Sequence, residues 1–366
     1  MKINTITCHD VYNPGASLQA YALQRYLETL GHDVKIIDYK PDYLSNHYNL
    51  LAITNPKYDK FIIRWLYLLA KLPSRIISLK RKRIFDCFKK KYLKITSKRY
   101  HSNKELSDNL PDADIYIAGS DQIWNTLFPN GKDPAFYLDF VPNSKIKASY
   151  AASFSTPTID RKYIRFIIEK LKNFNYISVR ESSGIQVLHE MGYTNALHVC
   201  DPVFLLSNSD WDSLVKRLPI KSKYLLVYDF DNSSQIQQIA KEIAKRKNWI
   251  IVSIFPTKYA NKSFPNAGPI EFISLIKNAD FVISNSFHAL AFSIIFQKLF
   301  CIINRRDNIN ERMHSLLKEI QLTNRIVNCF REELLLPIDY DKVLSILSKR
   351  IIDSKHYLHN ISLYNK

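Results

Sequence analysis

A histidine opens an otherwise apolar helical stretch in the second half of the sequence, where it can do chemistry at a helix end. His288 precedes the apolar residues 289–296 and follows the strand-like run Ala279-Asp-Phe-Val-Ile283. Three small polar residues, 284–286, can cap the helix. The N–H groups and dipole of the first turn favour an anion and lower the pKa of a histidine there, whereas a bound phosphate raises it again. The pattern is typical of a group that exchanges a proton beside an anion; a packed structural histidine is the alternative.

Arginines follow two of the strand-like runs in the second half of the sequence. Arg180 directly follows residues 177–179, and a second cationic set comes after the apolar run that ends at Ile303, namely Arg305, Arg306, Arg312 and Arg325. A planar guanidinium group suits carboxylates and phosphates better than a lysine does, because it can form paired hydrogen bonds. We therefore expect Arg180 and a member of the second set to bind an anion. An ion pair with Glu181 is the alternative for Arg180, and an exposed first helical turn is the alternative for Arg312.

The elements that would position these side chains follow an α/β pattern, in which short apolar runs alternate with helical patterns. The first helix is predicted at 17–30, and strands are predicted at 2–8, 34–38, 115–118, 147–151, 177–179, 224–228, 249–253, 281–283 and 299–303. Ligands of doubly wound sheets bind beyond the carboxyl ends of strands, near helix N-termini. That rule selects the loops at 10–17, 119–125, 152–155, 180–183 and 284–288.

The length of the chain predicts two domains, because 366 residues are many for one hydrophobic core. The N-terminal domain is placed at residues 1–160, with a basic amphipathic insertion at 45–105, and the C-terminal domain at 175–335. The boundary is placed near 155–176. Residues 336–366 have a helical pattern and are expected to pack back on the first domain.

Cysteine usage and hydropathy narrow the class of protein. The five cysteines lie far apart, without a CxxC pair or metal-ligand spacing, so neither a disulfide framework nor a metal site is predicted. The first residues lack the apolar core of a signal peptide, and no uncharged apolar run reaches the roughly 18 residues that span a bilayer. We therefore expect a cytoplasmic location.

Most of the formal net charge of +18 is concentrated in one segment. Between residues 57 and 99, fifteen Lys and Arg residues are accompanied only by Asp59 and Asp86, and large apolar residues alternate with them. Basic amphipathic helices of this kind lie on anionic bilayers, where each cation contributes about 1 kcal/mol. We expect residues 57–99 to attach peripherally to the inner face of the membrane; packing on their own domain is the alternative. No nucleic-acid-binding signature accompanies the charge, so no nucleic-acid partner is predicted.

Five short motifs, taken in order, carry a family resemblance. They are Asn13-Pro-Gly-Ala-Ser-Leu-Gln-Ala-Tyr-Ala-Leu-Gln24, Ala118-Gly-Ser-Asp-Gln-Ile-Trp-Asn125, Ser178-Val-Arg-Glu181, Cys200-Asp-Pro-Val-Phe-Leu-Leu206 and Asn285-Ser-Phe-His288. Together they resemble the polysaccharide pyruvyl transferase family over residues 13–325, apart from the basic segment.

This resemblance implies a fold and an activity. The fold is α/β, with two Rossmann-like domains in a GT-B-like arrangement and a cleft between them. The activity is transfer of pyruvate from phosphoenolpyruvate to two hydroxyl groups of a sugar, in a lipid-linked precursor of a surface or capsular polysaccharide. The products are a pyruvate ketal and phosphate. Phosphoenolpyruvate is then a co-substrate, and no cofactor is implied.

The resemblance also implies catalytic and donor-binding residues. His288 is expected to give a proton or to assist departure of phosphate, and Asp121 to accept the sugar proton, with a turn or cap role as the alternative for Asp121. The donor-binding set is Arg180, Asn285, Ser286 and Arg312. Many family members carry an arginine where Ser286 stands, so the donor grip of this chain must differ at that position.

The acceptor-binding residues are expected in the first domain, namely Asn13, Gly15, Ser17, Gln19, Gln122 and Trp124. Trp124 offers a flat apolar face to a sugar ring, and a buried tryptophan is the alternative. Gly15 lets the backbone approach a ligand closely, and an ordinary strand-to-helix turn is the alternative.

Two rival functions stay open at this point. A GT-B glycosyltransferase that uses a nucleotide sugar commonly carries an acidic residue on the donor-site helix, and residues 284–306 contain no Asp or Glu. A non-catalytic protein that binds glycans or a membrane surface is the second rival, and the serine at position 286 is compatible with it.

Overall fold

Two parallel sheets organise the part of the chain that this computed structural model describes, which is residues 1–44, 58, 60–307 and 309–363. The strands of the first sheet are β1 (Lys2–Ile6), β2 (Asp33–Tyr39), β3 (Ile95–Tyr100), β4 (Ile115–Ala118) and β5 (Ile146–Ser149), in the order β3-β2-β1-β4-β5. The helices in this part of the chain are α1 (Pro14–Thr29), α2 (Phe61–Tyr92) and α3 (Asn103–Asp108). This is the strand order of one Rossmann-like half extended through its switch point between β1 and β4.

The first sheet continues beyond β5. Helix α4 (Arg161–Leu171) leads to strand β6 (Ser178–Val179), and helix α5 (Ser182–Glu190) leads to strand β7 (Leu197–His198). The two short strands pair in parallel, and a β-bridge between Ala152 and Val179 joins β6 to the β5 side of the sheet. The boundary predicted at 155–176, with a second domain from residue 175, therefore comes too early. The renewed strand–helix alternation was read as a new domain, although it extends the first sheet.

The second sheet is built from the strands β8 (Tyr224–Tyr228), β9 (Ile250–Ser253), β10 (Lys262–Ser263), β11 (Phe281–Ser284) and β12 (Leu299–Ile302), in the order β10-β9-β8-β11-β12. Its helices are α6 (Asn208–Asp212), α7 (Ser234–Lys247), α8 (Pro269–Lys277), α9 (Phe287–Ile295) and α10 (Glu311–Glu319). All registered pairs are parallel. The predicted fold class is confirmed: the chain is α/β, with two Rossmann-like domains in a GT-B-like arrangement and a cleft between them.

One hydrophobic cluster runs through both domains and fixes their relative position. It contains Leu18 of α1 together with Phe204, Phe272 and Phe292, and all four side chains are buried. The ring of Trp211 lies between the two domains, 5.9 Å from the ring of Tyr21 and 4.9 Å from that of Phe292. Burial of large aromatic groups supplies most of the stabilisation at such a contact.

The C-terminal helix α11 (Tyr340–Leu363) spans the two domains. At its start, the Tyr340 hydroxyl donates to the carbonyl of Lys298 in the second domain, at 2.5 Å. Towards its end, the Tyr357 hydroxyl donates to the carbonyl of Ser149 in β5, at 2.8 Å. The helix thus returns from the second domain to the first.

The basic segment forms one long helix and a strand. Strand β3 pairs with β2, so the predicted insertion at 45–105 includes an integral strand of the first sheet and is too long. The sequence Ile95-Thr-Ser-Lys-Arg-Tyr100 does not have the apolar pattern of a buried strand, because three of its residues are exposed at the edge of the sheet. Residues 45–57 and 59 of the predicted insertion lie outside the described residues.

No described helix is long and apolar enough to cross a bilayer. All five cysteines are described, and each has a free thiol; Cys8, Cys200 and Cys301 are buried, whereas Cys87 and Cys329 are exposed.

Candidate active site

Loops at the carboxyl ends of strands from both sheets meet in one buried charged cluster. It consists of Asp121 after β4, Arg180 and Glu181 after β6, Asp201 after β7, His288 in the first turn of α9, and Arg312 in α10. We call these six residues the cleft cluster. Short parallel strands place all of these loops at the same edge of their sheets, which is where doubly wound folds bind ligands.

Arg180 lies at the centre of the cleft cluster, with its side chain only 2% exposed. Its Nη1 donates to Oδ2 of Asp201 at 2.5 Å, its Nη2 lies 3.6 Å from Asp121, and its Nε lies 3.5 Å from Glu181. Burial opposes the positive charge, but these carboxylates, Asp201 foremost, raise the pKa of Arg180. A guanidinium group held by three carboxylates of the first domain stays charged.

Arg312 brings a second guanidinium group from the other domain. Its Nη1 donates to Oδ1 of Asp121 at 3.3 Å. Burial and the nearby Arg180 lower the pKa of Arg312 to about 10, which reflects the cost of burying two like charges together. The ring of Phe287 lies against both guanidinium groups, with its centroid 4.8 Å from Cζ of Arg180 and 5.6 Å from Cζ of Arg312. Cation–π contacts help to hold the two like charges side by side.

His288 completes the cluster from the second domain. Its side chain is 8% exposed, and its Nε2 lies 3.8 Å from Oδ2 of Asp201 without a hydrogen bond. Burial lowers the pKa of His288 to about 4, despite the nearby carboxylates, so the imidazole is neutral at pH 7. A β-carbon at Gly15 would overlap the imidazole ring. The N-terminus of α1 in the first domain therefore touches His288, and only a glycine permits this approach.

The carboxylates of the cluster differ in proton affinity. Asp121 has a left-handed backbone with φ 76°, and although its burial opposes ionisation, Arg180 and Arg312 lower its pKa. Burial raises the pKa of Glu181, which accepts a hydrogen bond from the Ser153 hydroxyl. Asp121 is therefore a carboxylate at neutral pH, and Glu181 is the acidic group of the cluster that holds a proton more readily.

Several polar atoms of the cluster are buried without a hydrogen-bond partner, namely Nε and Nη2 of Arg180, Nε of Arg312, Nε2 of His288 and Oε2 of Glu181. A buried N–H group without an acceptor costs free energy, and such groups are rare in folded proteins. Three of these atoms belong to guanidinium groups, whose natural partners are carboxylate and phosphate oxygens. The arrangement fits an anion that bridges the two domains.

Two predicted donor-binding residues, Asn285 and Ser286, have structural roles, and their contact with a donor stays a prediction. The side chain of Asn285 accepts a hydrogen bond from the backbone N–H of Phe230 at 3.0 Å and donates to Asp229 at 2.8 Å, so both of its polar ends are occupied. Ser286 caps α9, because its hydroxyl accepts from the N–H of Ala289 at 3.5 Å. Arg180 and Arg312 thus retain the free donors for an anion, while Asn285 and Ser286 shape the helix end that presents His288.

Trp124 does not offer a surface to a sugar. Its side chain is completely buried, its indole Nε1 donates to the carbonyl of Phe136 at 3.0 Å, and its ring stacks on that of Tyr137. The predicted acceptor role of Trp124 is wrong, because the turns that follow β4 fold back over the ring. Gln122, beside it, accepts a hydrogen bond from Asn125 at 2.8 Å.

The predicted acceptor residues at the start of α1 are mostly part of the helix cap. Asn13 accepts hydrogen bonds from the N–H groups of Gly15 and Ala16, at 2.9 and 3.3 Å. Ser17 is buried. Gln19 is completely buried, its Nε2 donates to Thr7 at 3.0 Å and its Oε1 has no hydrogen-bond partner. Its acceptor role stays a prediction. Of this group, Gly15 directly adjoins His288 of the cleft cluster.

Asp201 was missed as a site residue. It is completely buried at the side chain, holds Arg180, and accepts the N–H of Val203 to begin a 3₁₀ turn at Pro202–Leu205. The sequence did contain an indication of its importance, because Asp201 is an acidic residue in one of the five motifs and directly precedes a proline. The two-residue strand β7 that positions it was too short to recognise from its pattern.

Comparison with known proteins identifies a family and a fold. The family model described as polysaccharide pyruvyl transferase matches residues 13–308. A search among curated proteins found no match.

Several solved structures are similar in fold. UDP-GlcNAc 2-epimerase from Methanocaldococcus jannaschii has a TM-score of 0.47 and 15% identity, covering 95% of this chain and 92% of that chain. E. coli heptosyltransferase WaaC with ADP has a TM-score of 0.40 and 10% identity, covering 96% and 100%. Arabidopsis thaliana UGT89C1 complexed with UDP-L-rhamnose has a TM-score of 0.49 and 9% identity, covering 98% and 97%. These similarities concern the fold alone.

Proposed function

This chain belongs to the polysaccharide pyruvyl transferase family, and we propose that it transfers pyruvate from phosphoenolpyruvate to two hydroxyl groups of one sugar. The family makes the protein a transferase. The proposed acceptor is a lipid-linked precursor of a surface or capsular polysaccharide, and the proposed products are a pyruvate ketal and inorganic phosphate. No cofactor or metal takes part in the proposal, and phosphoenolpyruvate acts as a co-substrate.

The observation that carries the proposal is the set of unpartnered N–H groups on Arg180 and Arg312. Phosphoenolpyruvate has a carboxylate and a phosphate on one carbon skeleton, so it needs more than one cationic anchor. Two guanidinium groups that both lie against the Phe287 ring supply such a pair. In the proposed complex, the donor is held by Nε of Arg312 and by Nε and Nη2 of Arg180, which lie near Glu181 and Asp121 without a hydrogen bond to them. Asp201 and Asp121 keep the two arginines in place through their Nη1 atoms.

The proposed reaction conserves atoms and protons. The CH2 carbon of the donor gains a proton and becomes the methyl group of the ketal, while one sugar oxygen bonds to the neighbouring carbon. The C–O bond to phosphate then breaks, and the second sugar oxygen takes the place of the phosphate. Of the two hydroxyl protons released, one balances the proton taken up by carbon and the other leaves with phosphate. Such a path needs an acid, a base and cations beside the leaving phosphate.

Asp121 is the proposed base for the sugar hydroxyl. It is ionised, because Arg180 and Arg312 lower its pKa even though burial opposes this. His288 is the proposed partner of the phosphate. Its pKa of about 4 makes it neutral before the donor binds, and a bound dianion raises that pKa towards neutrality. His288 then carries a proton to the departing phosphate or to the CH2 carbon.

Glu181 is a second group that can supply a proton. Its side chain is 1% exposed, and burial raises its pKa. A carboxyl group whose pKa is raised holds its proton more readily and can act as a general acid. The proposal therefore assigns the carbon proton to either His288 or Glu181, and substitution of each distinguishes them.

The donor needs more room than the structure offers beside the arginines. The cavity beside Arg180, Asp201 and Arg312 measures about 20 Å³, which suits no more than about one water molecule. Phosphoenolpyruvate is much larger, so in the proposal the loops and side chains of the cleft cluster rearrange when the donor binds. The two domains stay together in this proposal, because one hydrophobic cluster runs through both of them.

The test is phosphate release from phosphoenolpyruvate in the presence of lipid-linked saccharides, with analysis of the glycan for a ketal-linked pyruvate. Wild-type protein is expected to release phosphate and to form ketal-linked pyruvate in equal amounts. His288→Ala is expected to react about a hundredfold or more slowly, as is typical when a proton-transfer group is removed. His356→Ala is the matched control, because His356 is exposed on α11. Phosphate release that is unchanged in His288→Ala contradicts the role of the histidine.

A binding screen separates the rival functions. Phosphoenolpyruvate is expected to raise the melting temperature, since a ligand at a hundred times its Kd stabilises by about 2.7 kcal/mol. Stabilisation by a nucleotide sugar instead would favour glycosyl transfer. Binding of the glycan without any turnover of phosphoenolpyruvate would favour a non-catalytic binding protein.

A further inference from the structure

The helix α2 has two halves with opposite surroundings. Its inner half, residues 81–92, is packed: Phe85 and Phe88 are each 4% exposed, with Phe85 against the ring of Tyr12 and Phe88 against that of Tyr21. Its outer half, residues 61–76, bears a concentration of exposed large apolar side chains, namely Ile62, Ile63, Trp65, Leu66, Leu69, Leu72 and Ile76. The prediction that all of residues 57–99 meet a membrane therefore cannot hold for the inner half.

Six of the seven exposed apolar residues share one side of the outer half, and Ile63 lies outside it. At about 100° per residue, Ile62, Trp65, Leu66, Leu69, Leu72 and Ile76 fall within an arc of about 120°, the width of an amphipathic stripe. Ile62 is 72% exposed, Leu66 63% and Leu69 65%. Single exposed apolar residues are ordinary, but a contiguous stripe of this kind marks an interaction surface.

The charge of the segment identifies the partner. Exposed cations lie on the side of the helix opposite the stripe, at Arg64 and Lys71, and beyond the two ends of the outer half, at Lys60 and Lys80. No acidic residue occurs anywhere in residues 60–85. A helix with lysines and arginines on its polar side and Trp, Leu and Ile on the other lies in the plane of a membrane interface. Trp65, which is 53% exposed within the stripe, belongs to the residue type that prefers the headgroup level.

We propose that the outer half of α2 docks on the surface of an anionic lipid bilayer, with its apolar stripe inserted and its cations among the headgroups. The inner half is the anchor that transmits this attachment to the body of the protein. Arg81, at the junction, donates to the carbonyl of Pro265 at 2.9 Å and to that of Tyr12 at 3.2 Å. Lys89 donates to Asp10 at 2.9 Å. The helix is thereby fixed to both domains.

This attachment serves the proposed function by placing the cleft near lipid-linked substrates. Arg81 contacts Tyr12, three residues before Gly15, which adjoins His288. The twenty-one residues from Phe61 to Arg81 span about 30 Å of helix. This consequence rests on the proposed function, whereas the docking itself does not.

Trp65 provides a direct probe of docking. Of the four tryptophans of the chain, all of which the structure describes, Trp124 and Trp211 are completely buried, Trp249 is half-buried and Trp65 is exposed. Vesicles of equal parts phosphatidylglycerol and phosphatidylcholine, with brominated acyl chains, are expected to quench Trp65 fluorescence. Vesicles of phosphatidylcholine alone are expected to quench it far less. Trp65→Phe should abolish the quenched component of the fluorescence, which would show that this component comes from Trp65.

Substitutions separate the apolar and electrostatic contributions. Leu66→Ser with Leu69→Ser is expected to lower the partition constant at least about tenfold, because two large side chains no longer leave water. Lys60→Gln with Lys80→Gln is expected to lower it about fivefold per cation on anionic vesicles. The matched control is Leu336→Ser with Ile352→Ser, which removes two exposed apolar residues outside α2 and should leave binding unchanged.

Three results would overturn the proposal. The first is equal or absent quenching on anionic and neutral vesicles. The second is a wild-type dimer in vesicle-free solution that Leu66→Ser with Leu69→Ser dissociates, which would make a second copy the partner of the stripe. The third is protection of Trp65 from acrylamide without vesicles, which would show that the chain itself covers the stripe. Because neither donor nor sugar is present, none of these results depends on pyruvyl transfer.

Discussion

Two charged clusters lie beyond the carboxyl ends of strands of the first domain, and they differ in how their buried charges are paired. The second of them, the cleft cluster, also includes residues of the second domain. In the first, one carboxylate oxygen of Asp10 lies 3.0 Å from Lys40, 2.9 Å from Lys89 and 3.3 Å from Arg99. These three cations keep contact with solvent, with 15%, 17% and 39% of their side chains exposed. We call these four residues the Asp10 cluster. It joins β1, β2, β3 and α2, and its cations are shared between a buried acid and water.

In the cleft cluster, the cations are buried and incompletely paired. Arg180 and Arg312 have side chains 2% and 10% exposed, and both retain N–H groups without partners. A network whose purpose is stability would satisfy these groups or leave them in water. The comparison shows that a high density of charge does not by itself indicate a binding site in this protein. Buried N–H groups without hydrogen-bond partners, contributed by both domains, are the feature that indicates one.

The largest expected effect comes from Arg180→Gln. Loss of this guanidinium group should lower kcat/KM for phosphoenolpyruvate about a thousandfold, equivalent to about 4 kcal/mol of lost transition-state stabilisation. It also leaves Asp201 and Glu181 without their buried partner, so the free energy of unfolding should fall by about 3 kcal/mol. Denaturant unfolding of the variant measures this second effect separately. If Arg180→Gln were stable and had a normal kcat/KM, Arg180 would have no role in donor binding, as is expected for the cations of the Asp10 cluster.

A second strong effect is expected from Gly15→Ala, because the added β-carbon overlaps the imidazole of His288. Displacement of that ring should lower kcat about a hundredfold, since about 1 Å of misplacement can have this consequence. Gly119→Ala is the control: its nearest neighbours would lie 3.3 Å from the new β-carbon, and it lies beside β1 rather than at His288. Equal losses in the two variants would mean that general packing, not the position of His288, is responsible.

Donor binding should take up protons through His288. Its pKa is about 4 before binding, because burial disfavours the charged form, and a bound phosphate raises it. Between the two values, the complex holds more protons than the free protein, so affinity for phosphoenolpyruvate should increase as pH falls from about 8 to 6. Calorimetry in buffers of different ionisation enthalpy measures the uptake, and His288→Gln should abolish it. Release of protons on binding would contradict this role.

The same lowered pKa predicts a change of stability with pH. The unfolded chain binds a proton at this histidine near its ordinary value of about 6.5, whereas folded His288 stays neutral down to about 4. Stability from this group is therefore complete above about pH 6.5 and is lost as pH falls towards 4. Chemical denaturation across this range should show a flatter profile in His288→Gln than in wild type, and parallel profiles would count against the burial of a neutral histidine.

The smallest effect is expected from the other cluster. Lys89→Gln removes one of three cations around Asp10, so the free energy of unfolding should fall by about 1 kcal/mol. Phosphate release should not change, because Lys89 is not among the residues of the cleft cluster. A large loss of activity in Lys89→Gln, without loss of stability, would extend the functional site into the Asp10 cluster.

Local patterns in the sequence predicted the strands and the residues that follow them. Strand β4 was predicted at residues 115–118, where the structure has it. His288 lies in the first turn of a helix capped by Ser286, as expected from three polar residues before an apolar run. The expectation that ligand-binding loops cluster at one edge of a sheet selected the loops of Asp121, Arg180 and His288, and the structure places these residues close together. These loops follow from strand and helix periodicity, which short stretches of sequence contain. Arg312 lies in none of the selected loops, and its place in the site was implied by the family resemblance.

Other features depended on contacts between distant segments. Trp124 was predicted to bind a sugar because it lies near Asp121 and its ring offers a flat apolar face, yet residues 136 and 137 cover it in the fold. Strand β3 escaped notice because an edge strand needs few apolar residues. Asp201 is held in place by a strand of two residues, which has no recognisable periodicity. Neither the helical nor the strand periodicity of a short segment shows which side chain will be buried by a residue from another segment.

The central claim is that the cleft arginines bind the anionic donor, and calorimetric titration of phosphoenolpyruvate tests it most directly. Wild-type protein and Lys89→Gln are predicted to bind with similar affinity, whereas Arg312→Gln is predicted to bind at least about tenfold more weakly, since a charged hydrogen bond contributes about 1.5–3 kcal/mol. Equal affinity of Arg312→Gln and wild type, or no binding by folded wild-type protein, would contradict the account.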